Sequence, residues 1–169
     1  MDLILPHRDS DPVLVLYAHY FTASDVMLKN YKKLINKNKQ LNQNDRVELS
    51  IYFCTWIGFL GVTSEGFKKL RIRKLLEDQR PHEFKELISK ANDLGKMMNT
   101  HGDELRKFRN KIFHLRDSTQ ELTQFLEKEP CRREWAQKLH VAFNDFFSEY
   151  RVLCQVHYVI TNRHEEFFT

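Results

Sequence analysis

Pro130-Cys131-Arg132-Arg133-Glu134-Trp135-Ala136-Gln137-Lys138-Leu139-His140-Val141-Ala142-Phe143-Asn144-Asp145-Phe146-Phe147-Ser148-Glu149-Tyr150 opens the longest periodic stretch of the chain. Trp135, Leu139, Phe143, Phe146 and Tyr150, continued by Leu153 and Ile160, recur at intervals of three and four, the spacing of one helix face. Proline suits the first turn of a helix, where its missing N–H would have no partner. The stripe predicts a helix of more than roughly seven turns at 3.6 residues each. A single apolar face of that length must be covered, and other helices are the natural cover.

The sequence on the N-terminal side supplies them. Asp11-Pro12 pairs a capping acceptor with a first-turn proline, and Val13, Leu16, Tyr17, Tyr20, Ser24, Met27, Tyr31, Leu34 and Ile35 then keep helical period to about Asn36. Asn36 to Asn44 is a polar loop. Asp45 is placed to cap a second helix through about Leu60, apolar on most sides and therefore central. Gly61 and Thr63-Ser64 are expected to break or kink the chain before a third helix from Glu65 to Gln79. Its inner residues are Phe67, Leu70, Leu75 and Leu76, and its outer ones Lys68, Lys69, Arg71, Arg73 and Lys74. Pro81 opens a fourth, with Phe84, Leu87, Ile88, Ala91 and Leu94 on one face. Thr100-His101-Gly102-Asp103 and Ser118-Thr119-Gln120-Glu121 have capping-box spacing and start two shorter helices, to about His114 and Leu126.

Only 5 glycines and 4 prolines occur in 169 residues, too few to turn the many short strands of a sandwich or barrel. No GxGxxG or GxxxxGK[ST] run is present, so Gly-rich phosphate loops are excluded as well. The expectation is one all-α domain, an up-and-down bundle of about five to seven helices over 1–169, with 1–10 and 162–169 as peripheral tails. Net charge is +4, compatible with an anionic partner. The N-terminus lacks the pattern of a signal peptide, and the apolar run Val47 to Val62 carries Glu48, Ser50 and Thr55, which favours a buried helix over a membrane span. Cys54, Cys131 and Cys154 are odd in number and widely spaced, as expected of reduced thiols in a cytoplasmic protein. No cysteine–histidine group has zinc-ligand spacing, so neither a metal nor another cofactor is expected.

One stretch stands apart: Leu105-Arg106-Lys107-Phe108-Arg109-Asn110-Lys111-Ile112-Phe113-His114-Leu115-Arg116-Asp117. Leu105, Phe108, Ile112 and Leu115 form its buried stripe. Asn110 and His114 share the opposite face, with Arg109 on the flank. Phe113 also lies off the stripe and offers an apolar contact. An arginine separated from a histidine by four to six intervening residues is not rare where a chain has twelve arginines and eight histidines. Arg133…His140 and Arg151…His157 satisfy it too. Only Arg109…His114 combines an amide neighbour, an outward face and a nearby helix end.

In this segment the chain resembles the HEPN superfamily of small all-helical proteins, whose hallmark is arginine, a polar residue and a histidine at this spacing. A tyrosine that often follows the histidine is replaced here by Leu115-Arg116-Asp117. The resemblance implies a metal-independent endoribonuclease that works as a homodimer, with two motifs facing across a cleft. It implies proton transfer by His114, a phosphate grip by Arg109, and orientation of either by Asn110. Arg106, Lys111 and Arg116 would contact RNA. Stand-alone members serve as toxins or in defence, which implies a neutralising antitoxin partner and a cytoplasmic setting without a membrane. The rival expectation is a non-catalytic helical module of the same shape that binds RNA, a nucleotide or a protein. Lys68, Lys69, Arg71, Arg73 and Lys74 could follow an RNA backbone, but a solvated helix face explains them, since Glu65, Glu77 and Asp78 flank them. His101 either enters the site from the preceding loop or is a surface histidine.

Overall fold

The computed structural model describes residues 4–37, 40–113 and 131–167. Within them every regular element is helical: α1 (Pro12–Leu16), a π-turn (Tyr17–Phe21), α2 (Thr22–Ile35), α3 (Gln43–Lys69), α4 (Ile72–Asp78), a 3-10 turn (His82–Leu87), α5 (Ile88–Thr100), α6 (Gly102–Phe113) and α7 (Cys131–Ile160). The all-α expectation holds. Pro130, the capping box at Ser118 and the short helix to Leu126 lie outside the described residues.

α1 begins as its sequence dictates: Asp11 Oδ1 accepts from the N–H groups of Val13 (2.8 Å) and Leu14 (3.3 Å), with Pro12 at the first turn. The π-turn then inserts extra backbone into what reads as one uninterrupted helix, rotating the following turn. Phe21 and Leu28 are therefore buried, whereas the unbroken period points to Tyr20, which is exposed, and Met27, which is half-buried. Asn42, rather than Asp45, is the N-cap of α3. Its Oδ1 accepts from Asp45 N–H (2.8 Å), while Asp45 Oδ2 accepts from Asn42 N–H (3.3 Å), a reciprocal capping box.

α3 corrects a second expectation. The helix runs through Gly61, Thr63 and Ser64 without a break, because both hydroxyls donate back along the helix, Thr63 to Phe59 O (2.8 Å) and Ser64 to Leu60 O (2.9 Å). The chain turns instead at Arg71, in the left-handed region at φ 49°. By length and apolar content α3 could cross a membrane. Here it is the central helix, with Phe53, Trp56, Ile57, Leu60 and Phe67 in the core. In α7 the expected stripe is buried from Trp135 to Tyr150 and continues through Cys154 and Tyr158. Those steps of four leave Ile160 77% exposed. Thr100 is still helical and its hydroxyl donates to Lys96 O, so the box expected there does not form.

Three buried polar groups tie together segments far apart in sequence. Arg80 Nη2 donates to Asp11 Oδ2 (3.1 Å), Tyr150 Oη donates to the same oxygen (2.8 Å), and Arg80 Nε donates to Tyr150 Oη (2.7 Å). Burial, reinforced by the Asp11 charge, pushes the Tyr150 phenol well above its ordinary value, so it stays a donor. The carboxylate that caps α1 thus also pins α7 and the loop after α4.

Candidate active site

α6 lies against α3, and two glycines of α3 set how closely. A methyl group added at Gly61 would stand 3.0 Å from Arg109 Cβ and 3.2 Å from its Cγ. One added at Gly58 would stand 3.1 Å from the Phe113 ring and 3.3 Å from Ile112. At the other end of α6 Gly102 comes close to the Lys68 ammonium. These pairings run the helices antiparallel. Side chains lean toward the N-terminus of their helix, so Arg109 is carried along α3 from Gly61 toward Glu65, one turn on.

There the guanidinium meets a carboxylate. Arg109 Nη2 donates to both Oε1 and Oε2 of Glu65 in a tight ion pair linking α6 to α3. The arginine side chain is 22% exposed and the glutamate 41%. Arg109 Nε is shielded from solvent and has no hydrogen-bond partner among the described residues. Asn110, next along, is half-buried. Leu105 and Phe108 are buried and Ile112 packs on the core, as their stripe requires. Phe113 is 44% exposed, its ring edge-on to Phe59 at 5.3 Å between centroids.

Among the RNA-binding candidates, Arg106 is exposed and pairs with Asp103 at 3.7 Å. Lys111 is half-buried, with its ammonium withdrawn from solvent. His114 and Arg116 lie outside the described residues, as does any contact between His114 and Asn110. Beside Glu65 a cavity of about 380 Å³ opens where α3, α5 and α6 meet, walled by Ser64, Glu65, Lys68, Asn99, Asp103 and Arg106. Among the described residues no group of His, Cys, Asp and Glu side chains is disposed to hold a metal ion.

In each of the two alternative Arg…His pairs one member is taken up by the scaffold. His140 is buried in the core, accepting at Nδ1 from Trp56 Nε1–H (3.2 Å), with Nε2 3.1 Å from Asp25 Oδ1. An indole N–H can only donate, so Nδ1 must be unprotonated and the proton sits on Nε2. Burial holds this imidazole below its ordinary pKa against the opposing pull of Asp25. Arg151 lies 4.7 Å over the Tyr17 ring and donates to its hydroxyl (2.9 Å). His101 packs on Trp135 at 5.1 Å between ring centroids, and the Trp135 indole donates to Met97 O (2.8 Å). In the basic cluster, Arg73 is committed to Glu77 at 2.9 Å.

The sequence reading missed Glu65 as a partner of Arg109. The two are 44 residues apart, and only the spacing of Glu65 one turn after a helical glycine hinted at a contact. No family model, no curated protein and no solved structure matches the chain.

Proposed function

We propose that the chain is a metal-independent endoribonuclease of the HEPN type, acting as a homodimer on RNA in the cytoplasm. The observation that carries the reading is the adjacent placement of Arg109 and Asn110 on the part of α6 that is not sealed into the core, with Arg109 braced by Glu65. In the proposed reaction His114 moves the proton, from the attacking 2′-hydroxyl or to the leaving 5′-oxygen. Arg109 binds the scissile phosphate and stabilises charge gathering on it, and Asn110 orients the histidine or the phosphate. The 2′-hydroxyl attacks phosphorus, the P–O5′ bond breaks, and the products are a 2′,3′-cyclic phosphate and a 5′-hydroxyl end. A toxin or defence role, with an antitoxin as neutralising partner, follows from the HEPN analogy alone.

The test is incubation of the purified chain with end-labelled RNA in EDTA, beside Arg109→Ala and His114→Ala. Cleavage by the wild type alone, ending in cyclic phosphate, supports the assignment. Equal activity in all three proteins removes these residues from the reaction. A second reading, a non-catalytic helical module that binds RNA, a nucleotide or a protein, is favoured by the same ion pair: Glu65 already answers the charge of Arg109 within the chain. It would give RNA binding or partner capture with no cleavage.

A further inference from the structure

We infer that Glu65 is the positioning residue of the proposed ribonuclease reaction, holding the Arg109 guanidinium in the orientation from which it meets the phosphate. The inference rests on the ribonuclease reading above. An arginine side chain has four rotatable bonds before its planar head, and a phosphate grip needs that head fixed in place and in plane. Here the base of the side chain is fixed by the close approach of α6 at Gly61. The head is fixed by the Glu65 carboxylate, which takes one terminal nitrogen through both of its oxygens. With Nη2 held and Nε shielded, Nη1, which has no hydrogen-bond partner among the described residues, is the nitrogen that meets an incoming anion.

A carboxylate so placed has two possible consequences for an anionic substrate. It either occupies the seat of the phosphate or holds the arginine ready for it. Its attachment to a single terminal nitrogen, rather than across the fork formed by two, favours the second. Glu65 also lines the cavity at the α3–α5–α6 junction, whose rim carries Lys68 and Arg106. Arg106 there is paired with Asp103, and the positioned guanidinium reaches this cavity through Glu65, its partner in the wall.

The experiment is single-turnover cleavage of a labelled RNA by the full-length wild type, Glu65→Gln, Glu65→Asp, Arg109→Lys and the Glu65→Gln/Arg109→Lys double variant, with thermal melting of each. Positioning predicts that Glu65→Gln lowers the maximal rate by about ten- to a hundredfold, the scale of a misplaced catalytic group. The half-saturating RNA concentration stays within about twofold. Glu65→Asp recovers part of the loss, and Glu65→Gln costs nothing further once Arg109 is lysine. Three results overturn the role while leaving the ribonuclease reading intact. They are an unchanged rate in Glu65→Gln, tighter RNA binding with faster cleavage, which would make Glu65 a competitor of the phosphate, and a rate loss that only follows the unfolded fraction. A wild type that leaves RNA intact overturns the reading and the role together.

Discussion

At the scale of single residues, the fold relies on polar groups that are buried and fully engaged. Asp11 serves two Val13–Leu14 N–H groups, Arg80 and Tyr150 at once. Replacing Arg80 by Met would leave that carboxylate without its counter-charge, and the loss should be about 3 kcal/mol, read from the urea midpoint. The capping role of Asp11 is legible in Asp11-Pro12. Its ion pair is not, because the partners lie 69 and 139 residues away and no local spacing encodes them. His140 makes a pH-dependent contribution. Its neutral form alone can accept from Trp56, and burial sets its folded pKa below the unfolded value of about 6.5. The stabilisation is therefore present above that unfolded value and is lost as pH falls through the lower folded one. Denaturation midpoints measured from pH 7 down to pH 5 should fall, and His140→Gln should flatten the slope.

At the scale of elements, the interface between α3 and α6 decides where Arg109 stands. Glycine inside a helix ordinarily costs up to about 1 kcal/mol against alanine, so a helix that keeps Gly58 and Gly61 is using their missing side chains. Gly61→Val would drive two methyl groups into Arg109 and Leu105 and force α6 outward. A loss of about 1–3 kcal/mol is expected in chemical denaturation, the range for overpacking a tight contact. RNA cleavage should fall further than the stability change explains. The sequence shows the glycine but offers two meanings for it, a break or a close approach, and the break is the wrong one. Choosing between them requires knowing that Thr63 and Ser64 satisfy themselves along the helix. The π-turn is equally silent in sequence: nothing in Tyr17-Ala18-His19-Tyr20-Phe21 marks an extra residue, and it appears only as a shift of the buried set.

At the scale of the whole molecule, the helical class and the long last helix were legible because their apolar stripes repeat over many turns and outweigh local exceptions. The site was legible only as a motif. The wheel puts Asn110 on the outer face and Arg109 on the flank, whereas Asn110 is half-buried and Arg109 packs on Gly61 of α3, and the partner that braces Arg109 comes from that other helix. If two motifs act across a cleft, sedimentation should give a species of twice the 20.4 kDa chain mass, and a strict monomer would remove the facing copy. With net charge +4, RNA affinity should weaken as salt rises, linearly on logarithmic axes, with a shallower slope in Arg106→Gln. The ends of the bundle also meet. Arg163 donates to Leu5 O (2.8 Å) and Pro6 O (3.1 Å) and pairs with Glu166, whose carboxylate accepts from Arg8 N–H (2.9 Å). In mechanical terms this is a clasp joining the first and last described segments side by side. A pull on the two ends would open it like a zipper, one bond at a time, before tension reached the long helices or the ion pair that holds Arg109.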